Sequence, residues 1–554
     1  MNTKTTTDVL IVGAGSVGLT LANDLAARGV DFQIIDQLPE PTRNSRAHGL
    51  QSRTLECLDI LDLAKPILDA AQRPQPPLMI MSGDKTVARL DFSGFLHAPF
   101  PYQLVIWQQR IERALATELE KRGHRVQRGV RLVNSEMDED GVTTLLETGD
   151  GKQSIRARWI AGCDGGHSAL REMLGLKMQG STMPGCFWLG EFDLDWQRSR
   201  DTMYEWWHKD GMVVAIYVDF NDKWHVFVES TDAERAEPDL EELQAIFRQR
   251  TGEHDAILRN PLWRGKLVVN QRMPDHFLVG RAVLAGDAAH VHSAAGGQGM
   301  NTGIQDALNL GWKLALAVCS AAAPGLLKTY ESERLPNARK VLRAAQTYHR
   351  FELPHGVVGR WAGEMIVKAI QSIRPFGAAA LGRIGMLDVN YESSVLSQQD
   401  ATGGLAAGRR VPDVPCRLDG KATHLFDIIR GTKAHLLLFA GKVPTNETLE
   451  AFKRIEASTR PIQQHLRVLY VFASEAQTRN CAIPGANIIT DGGEHLQQAL
   501  GWHDAETMYV RPDGYIGLRA SGAADATLLA YLAQIYVDLQ AVGERPASGK
   551  PRAA

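Results

Sequence analysis

The sequence predicts a mixed α/β protein, α+β overall, on three observations. An apolar run at 8–12 (DVLIV) passes directly into Gly13-Ala14-Gly15-Ser16-Val17-Gly18 and an amphipathic stretch, which reads as strand, turn and helix. Two later stretches, 76–102 and 180–271, are built from short segments of period-two alternation and predict antiparallel sheet. From residue 403 onward, apolar strands alternate with helical stretches as a small, separate α/β unit.

The first segment has the context that gives a glycine motif meaning. A helix over 17–28 ends at Gly29, and a second strand over 32–35 ends in Asp36, an acidic side chain about 20 residues beyond the glycines. Glycines there let a backbone approach a pyrophosphate, and the acid suits a ribose hydroxyl pair. Gly13, Gly15, Ser16, Val17, Gly18 and Asp36 are therefore dinucleotide-binding candidates, and the acid argues against a 2′-phosphate, leaving FAD or NAD.

Two further strand ends also present carboxylates. The run 159–163 (WIAGC) ends in Asp164-Gly165, and the run from Val283 ends in Gly286-Asp287. A glycine turn, Gly296-Gly297-Gln298-Gly299, follows the latter, and a long helix starts near Thr302. Its positive end would stabilise a nearby anion by about 0.3–1 kcal/mol. Asp164, Gly286, Asp287, Gly297, Gly299, Met300 and Asn301 join the cofactor-binding candidates.

Composition excludes several classes of function. A chain of 554 residues, 44% hydrophobic and 23% charged, is globular, and its net charge of −3 leaves no basic footprint for nucleic acid. Cys57, Cys163, Cys186, Cys319, Cys416 and Cys481 are scattered without a CxxC or a His/Cys cluster, so no metal site, zinc or disulfide framework is expected, and a reducing, cytoplasmic compartment is. The polar start at 1–7 leaves no room for a signal peptide, and Asp306, Asn309 and Lys313 disqualify the long helix as a membrane span.

The segments GAGSVG, GCDGGHSALR and LAGDAAH…GGQGMNTGIQDALNLGWKLA, in this order over roughly the first 345 residues, resemble the group A flavoprotein monooxygenases, the family of para-hydroxybenzoate hydroxylase and phenol hydroxylase. The resemblance implies a Rossmann-like FAD-binding domain over 1–75, 103–179 and 272–345, and a substrate-binding sheet domain over 76–102 and 180–271 that roofs the flavin. The C-terminal unit over 403–541 resembles the thioredoxin-like domain of phenol hydroxylase and related members, while the residues themselves predict a helical linker or interface over 346–402 and a disordered tail over 542–554. The family resemblance places Arg46 and Gln108 at the flavin. It implies hydroxylation of a phenolic substrate by O2 and NADPH or NADH through a flavin C4a-hydroperoxide, and only one GxGxxG is present, so the nicotinamide is a transient co-substrate. Alternatives on the same scaffold are another flavin oxygenase, an oxidase or an epoxidase, or a non-catalytic FAD protein holding a reactive aromatic intermediate. A halogenase is disfavoured, because no WxWxIP-like run is present.

Aromatic residues crowd the second sheet segment, and a flat substrate needs flat walls. Tyr217, His225, Trp206 and Ala294 are the substrate-pocket candidates, with His208 nearby, although period-two aromatics are more often sheet core. No catalytic base is assigned. Ser293 and Ala294 stand where relatives carry loop prolines, and His290 is expected to pack or hydrogen-bond.

Toward the C-terminus, a helix is expected over 326–348, with Pro336 kinking it or restarting the chain direction. The apolar stretch 361–387 is expected to pack between domains or at a homodimer contact. Strands are expected at 435–440, 467–472 and 487–490, a hairpin over 508–518 across Arg511-Pro512-Asp513-Gly514, and a last helix over 523–539. Lacking a Cys pair, this unit is expected to serve packing or oligomerisation rather than dithiol chemistry.

Overall fold

The computed structural model describes residues 5–42, 49–71, 73–74, 76–91, 98–291, 297–352, 381–478 and 487–539. Arg46, Ser293, Ala294, most of the 361–387 stretch and the tail lie outside these residues.

Strand β1 (Thr6–Val12) passes through Gly13 into helix α1 (Ser16–Ala27), and β2 (Phe32–Asp36) follows. Val9, Leu10 and Ile11 are fully buried, as expected for a parallel strand covered on both faces. Helix α2 (Ser52–Ile60) and helix α3 (Gln108–Lys121) pack on this layer, α3 against α1. Later passes add β3 (Gly151–Gly162) and β4 (Ala282–Leu284), each parallel to its neighbour, to give the order β4, β3, β1, β2 within an eight-stranded sheet. The buried helix α4 (Gly299–Val318) and helix α5 (Lys328–Glu352) complete this layer. Helix α5 continues through Pro336, so of the two outcomes expected there the chain does not restart its direction.

The stretches around 78–90 and 179–273 form one seven-stranded sheet, in the order Ile257–Met273, Gln179–Asp195, Lys223–Ser230, Val213–Val218, Met203–Trp206, Leu78–Ser82, Lys85–Leu90. It is not wholly antiparallel. Met203–Trp206 and Leu78–Ser82 pair parallel. These strands come from separate excursions of the chain, so no hairpin fixes their relative direction.

A third, eight-stranded sheet occupies the C-terminal part. Its core strands Ala434–Ala440, Leu466–Phe472 and Ile488–Thr490 run parallel, and β5 (Ala505–Val510) and β6 (Ile516–Ser521) form the expected hairpin. The last helix is shorter than expected, Asp525–Leu532. Beyond it the regular helix gives way to turns that also pair with the segment after α4: Ala323 N–H donates to the Ile535 carbonyl and Val537 N–H to the Ala321 carbonyl.

Candidate functional site

Because β1, β2, β3 and β4 are parallel and in register at their ends, Gly13, Asp36, Asp164 and the Gly286-Asp287 turn emerge on one edge of the sheet. This carboxyl edge is where open α/β sheets bind ligands.

The glycines there are required by their neighbours. Gly13 sits at φ +101°, and a Cβ on it would collide with the Cys163 carbonyl oxygen. Val17 fills a slot between two more glycines: a Cβ at Gly286 would lie 2.8 Å from Val17 Cγ2, and one at Gly303 would lie 2.6 Å from it. The first glycine motif, the last strand end and helix α4 thus meet on one methyl group.

Neither α1 nor α4 is capped by its own N-cap side chain or carries an acidic residue in its first turn. The start of α4 suits an anionic ligand, whereas the first N–H of α1 already donates to a carboxylate of α3. Asp36 is oriented beside the first, accepting from Ala14 N–H at 2.8 Å and Leu38 N–H at 2.9 Å. Asp164 accepts from Leu170 N–H at 3.3 Å, and Asp287 is exposed at its turn. Gln108 donates to Glu112 Oε1 at 2.8 Å, and the same oxygen accepts from Ser16 N–H at 3.2 Å, joining α3 to the start of α1. Burial raises the Glu112 pKa against the opposing pull of Gln108 and Ser16.

Behind the edge lies an ionic web that the sequence reading missed. Asp306 accepts from Gly286 N–H at 3.0 Å, faces His290 Nε2 at 2.6 Å and accepts from Arg334 Nε at 2.6 Å. Burial works against this charge, but Arg334 and His290 outweigh it and hold the carboxyl down at about 2. The signal is present in the sequence: Asp306, Asn309 and Lys313, which argue against a membrane span, also punctuate one apolar helix with polar groups that need buried partners. Asn301 uses its side chain on protein, accepting from Gln51 N–H at 2.8 Å and donating to the Gly49 and Gly297 carbonyls at 2.9 and 2.6 Å. Its backbone, with those of Gly297, Gly299 and Met300, remains at the helix start.

The second sheet has two unlike faces. One packs on helix Leu240–Thr251 through Trp188, Phe192, Tyr204, Trp206, Trp224 and Phe247. Trp206 lies within this core, and Tyr217 stands on the same face against Trp224 while its hydroxyl engages Arg200 and Asp222. Strand alternation therefore turns both toward helix Leu240–Thr251, the face opposite the one that carries His225. His225 is on the other face, its ring centroid 5.0 Å from that of Trp107, the residue before Gln108. It is buried beside Glu191, whose Oε1 accepts from Trp263 Nε1 at 2.6 Å. Burial opposes the Glu191 charge, but His225, Trp263 and Asn221 overcome it and lower its pKa; burial itself lowers that of His225. His208 lies beyond Trp206, near Asp210.

Residues 6–345 match the family model for an FAD binding domain. The chain is also 33% identical to a flavin-dependent monooxygenase of Mycobacteroides abscessus over 79% of this chain and 89% of that protein. This chain belongs to the FAD-dependent monooxygenases. It is 30% identical to pentachlorophenol 4-monooxygenase of Sphingobium chlorophenolicum, over 92% of this chain and 93% of that one. Among solved structures it resembles the OxyS anhydrotetracycline hydroxylase from Streptomyces rimosus, with a TM-score of 0.74 and 25% identity over 96% and 99% of the two chains. The edge fits FAD: glycines whose Cβ positions are filled, two helix starts and a carboxylate at the end of β2 are the features a dinucleotide site requires. Among the described residues no cluster suited to a metal ion and no helix long and apolar enough to cross a membrane is present.

Proposed function

We propose that this monooxygenase hydroxylates a phenolic aromatic compound, with O2 and NADPH or NADH as co-substrates. The observation that carries the reading is the sheet face bearing His225, which turns a buried imidazole–carboxylate pair and the rings of Phe227 and Trp263 toward Trp107, the residue before Gln108. A phenol asks for such a surface: aromatic walls for its ring and a polar group for its hydroxyl. The likeness to a pentachlorophenol monooxygenase and to an anhydrotetracycline hydroxylase supports the same substrate chemistry.

In this reading, Gly13, Gly15, Ser16, Val17 and Gly18 hold the pyrophosphate at the start of α1, Asp36 holds the adenosine ribose, and Asp287 and Asp164 address the sugar alcohol and neighbouring polar groups. Gln108 would face the flavin, and the family resemblance assigns Arg46 to it as well. FAD, when bound, supplies electron transfer from the nicotinamide and activation of O2. The start of α4, with the backbone of Gly297, Gly299, Met300 and Asn301, would favour an anionic group held beside it. His225, backed by Glu191, orients the substrate hydroxyl and accepts its proton.

The test is direct. The purified protein should be yellow, and NADPH or NADH oxidation in air should rise sharply with one member of a panel of simple phenols, hydroxyphenylpropionates and polycyclic phenols. Hydroxylated product should match the nicotinamide consumed. Stimulated oxidation that yields only hydrogen peroxide with every phenol would sink the hydroxylase reading.

A further inference from the structure

Glu333 and Arg334 are neighbours on α5, and they serve two ends of one buried ionic web. Arg334 bonds Asp306, the carboxylate that accepts from the Gly286 peptide, and also donates to the Thr302 carbonyl at 3.1 Å and the Tyr391 hydroxyl at 3.0 Å. Glu333 faces the C-terminal unit. Its two oxygens accept from Arg511 Nη1 and Nη2 at 2.7 and 2.8 Å, and one of them also accepts from Lys313 Nζ and Asn309 Nδ2, each at 2.7 Å.

Arg511 belongs to the turn joining β5 and β6, and the whole turn is a plug. Arg511 also bonds Asp513 through Nε at 3.0 Å and Nη2 at 2.6 Å. The Asp513 carbonyl accepts from Arg53 of α2 at 2.9 Å, and the Arg53 guanidinium stacks 4.7 Å from the Tyr515 ring centroid. At Gly514, which sits at φ +76°, a Cβ would lie 2.9 Å from Ile60 Cδ1, so the turn packs directly against α2. Arg53, Glu333, Arg334, Arg511 and Asp513 are all buried. Ions removed from water at this depth hold position only when each is paired, so displacing one displaces its partners.

We propose that the Arg511–Tyr515 turn is a working part of the cofactor site and that Arg511 is a positioning residue for it. The path is short: Arg511 fixes Glu333, the adjacent Arg334 fixes Asp306, and Asp306 holds the Gly286 peptide that presents Asp287. A second branch runs from Glu333 through Asn309 and Lys313 along α4, whose first turn lies at the same edge. The C-terminal unit thereby sets the shape of the FAD edge from behind without reaching it.

The experiment compares Arg511→Met, Arg511→Lys and Arg519→Met in the full chain. Arg519 pairs with Glu506 inside the C-terminal sheet, with its Nη2 2.7 Å from the carboxylate, and touches neither α4 nor α5. The readouts are the FAD dissociation constant from titration of apoprotein and the visible circular dichroism of the bound flavin. Arg511→Met should weaken FAD binding about three- to thirty-fold and change the flavin dichroism, and Arg511→Lys should restore part of both. Arg519→Met should lower the thermal midpoint yet leave the dichroism unchanged. Unaltered FAD affinity and dichroism in Arg511→Met, or equal losses in Arg519→Met, would overturn the proposal. Should Arg511→Met fail to fold, Arg511→Lys and Glu333→Gln carry the same comparison against Arg519→Met. If the unsubstituted chain itself takes up no FAD, the cofactor assignment falls and takes this proposal with it.

Discussion

His290 Nε2 lies 2.6 Å from Asp306 Oδ2, and neither side chain reaches solvent. The pair sits directly behind the Gly286 turn, so the peptide that presents Asp287 is held by a carboxylate with no other purpose than to anchor neighbours. Asp306→Ala would strand the Arg334 guanidinium in the interior at a cost of about 3–5 kcal/mol. The expected outcome is a protein with little bound flavin and a large loss in chemical denaturation. His290→Gln keeps a polar partner for Asp306 and should cost only about 1 kcal/mol.

The slot around Val17 predicts a rescue. Gly303→Ala places a methyl group 2.6 Å from Val17 Cγ2 and should cost about 1–3 kcal/mol by overpacking, with weaker FAD binding. In the double variant with Val17→Ala, part of that loss should return. Purely additive losses in a double-mutant cycle would refute the shared slot.

The two faces of the second sheet predict different phenotypes for residues that look alike in sequence. Trp206→Phe trims the core against Phe247 and should lower stability while leaving the substrate KM within about twofold. His225→Gln should lower kcat/KM for the phenol by about tenfold, the worth of one hydrogen bond to a buried partner, and should alter the pH profile. Steady-state kinetics on the two purified variants decide it.

Acid sensitivity has a named source in the C-terminal sheet. Burial, helped by Arg467 and Lys433, lowers the His435 pKa from 6.5 to about 3. The unfolded chain therefore binds a proton below 6.5 that the folded chain refuses, so this contribution to stability is complete above 6.5 and is lost as pH falls toward 3. The slope approaches about 1.4 kcal/mol per pH unit within that window. His435→Gln should flatten the fall in thermal midpoint between those limits, measured by calorimetry.

The cofactor edge was legible in the sequence because its determinants are local. Gly13, Gly15 and Asp36 follow from one strand, one turn and one helix, and the periodicities that mark those elements span a few residues each. The second sheet was legible as sheet, but the face each aromatic presents depends on strand register, and Trp206 and Tyr217 fell on the side of helix Leu240–Thr251. Asp306, Arg334 and Arg511 escaped functional notice because partners separated by 28 and 178 residues leave no local pattern. The final helix was overextended for a related reason: pairing of Tyr536 with Ala322, far back in the chain, overrides local propensity.

The interleaving of the first sheet also dictates when the protein can become itself. Strands β1 and β2 leave the ribosome early, but their neighbours β3 and β4 end only at Gly162 and Leu284, and α4 ends at Val318. Contacts of such long sequence separation form slowly, and until they form the apolar β1 has an open side. The turn that plugs α4 from behind comes later still, after Val510. Flavin capture is thus a late event in biogenesis, and the gain of yellow colour during refolding should trail the gain of secondary structure.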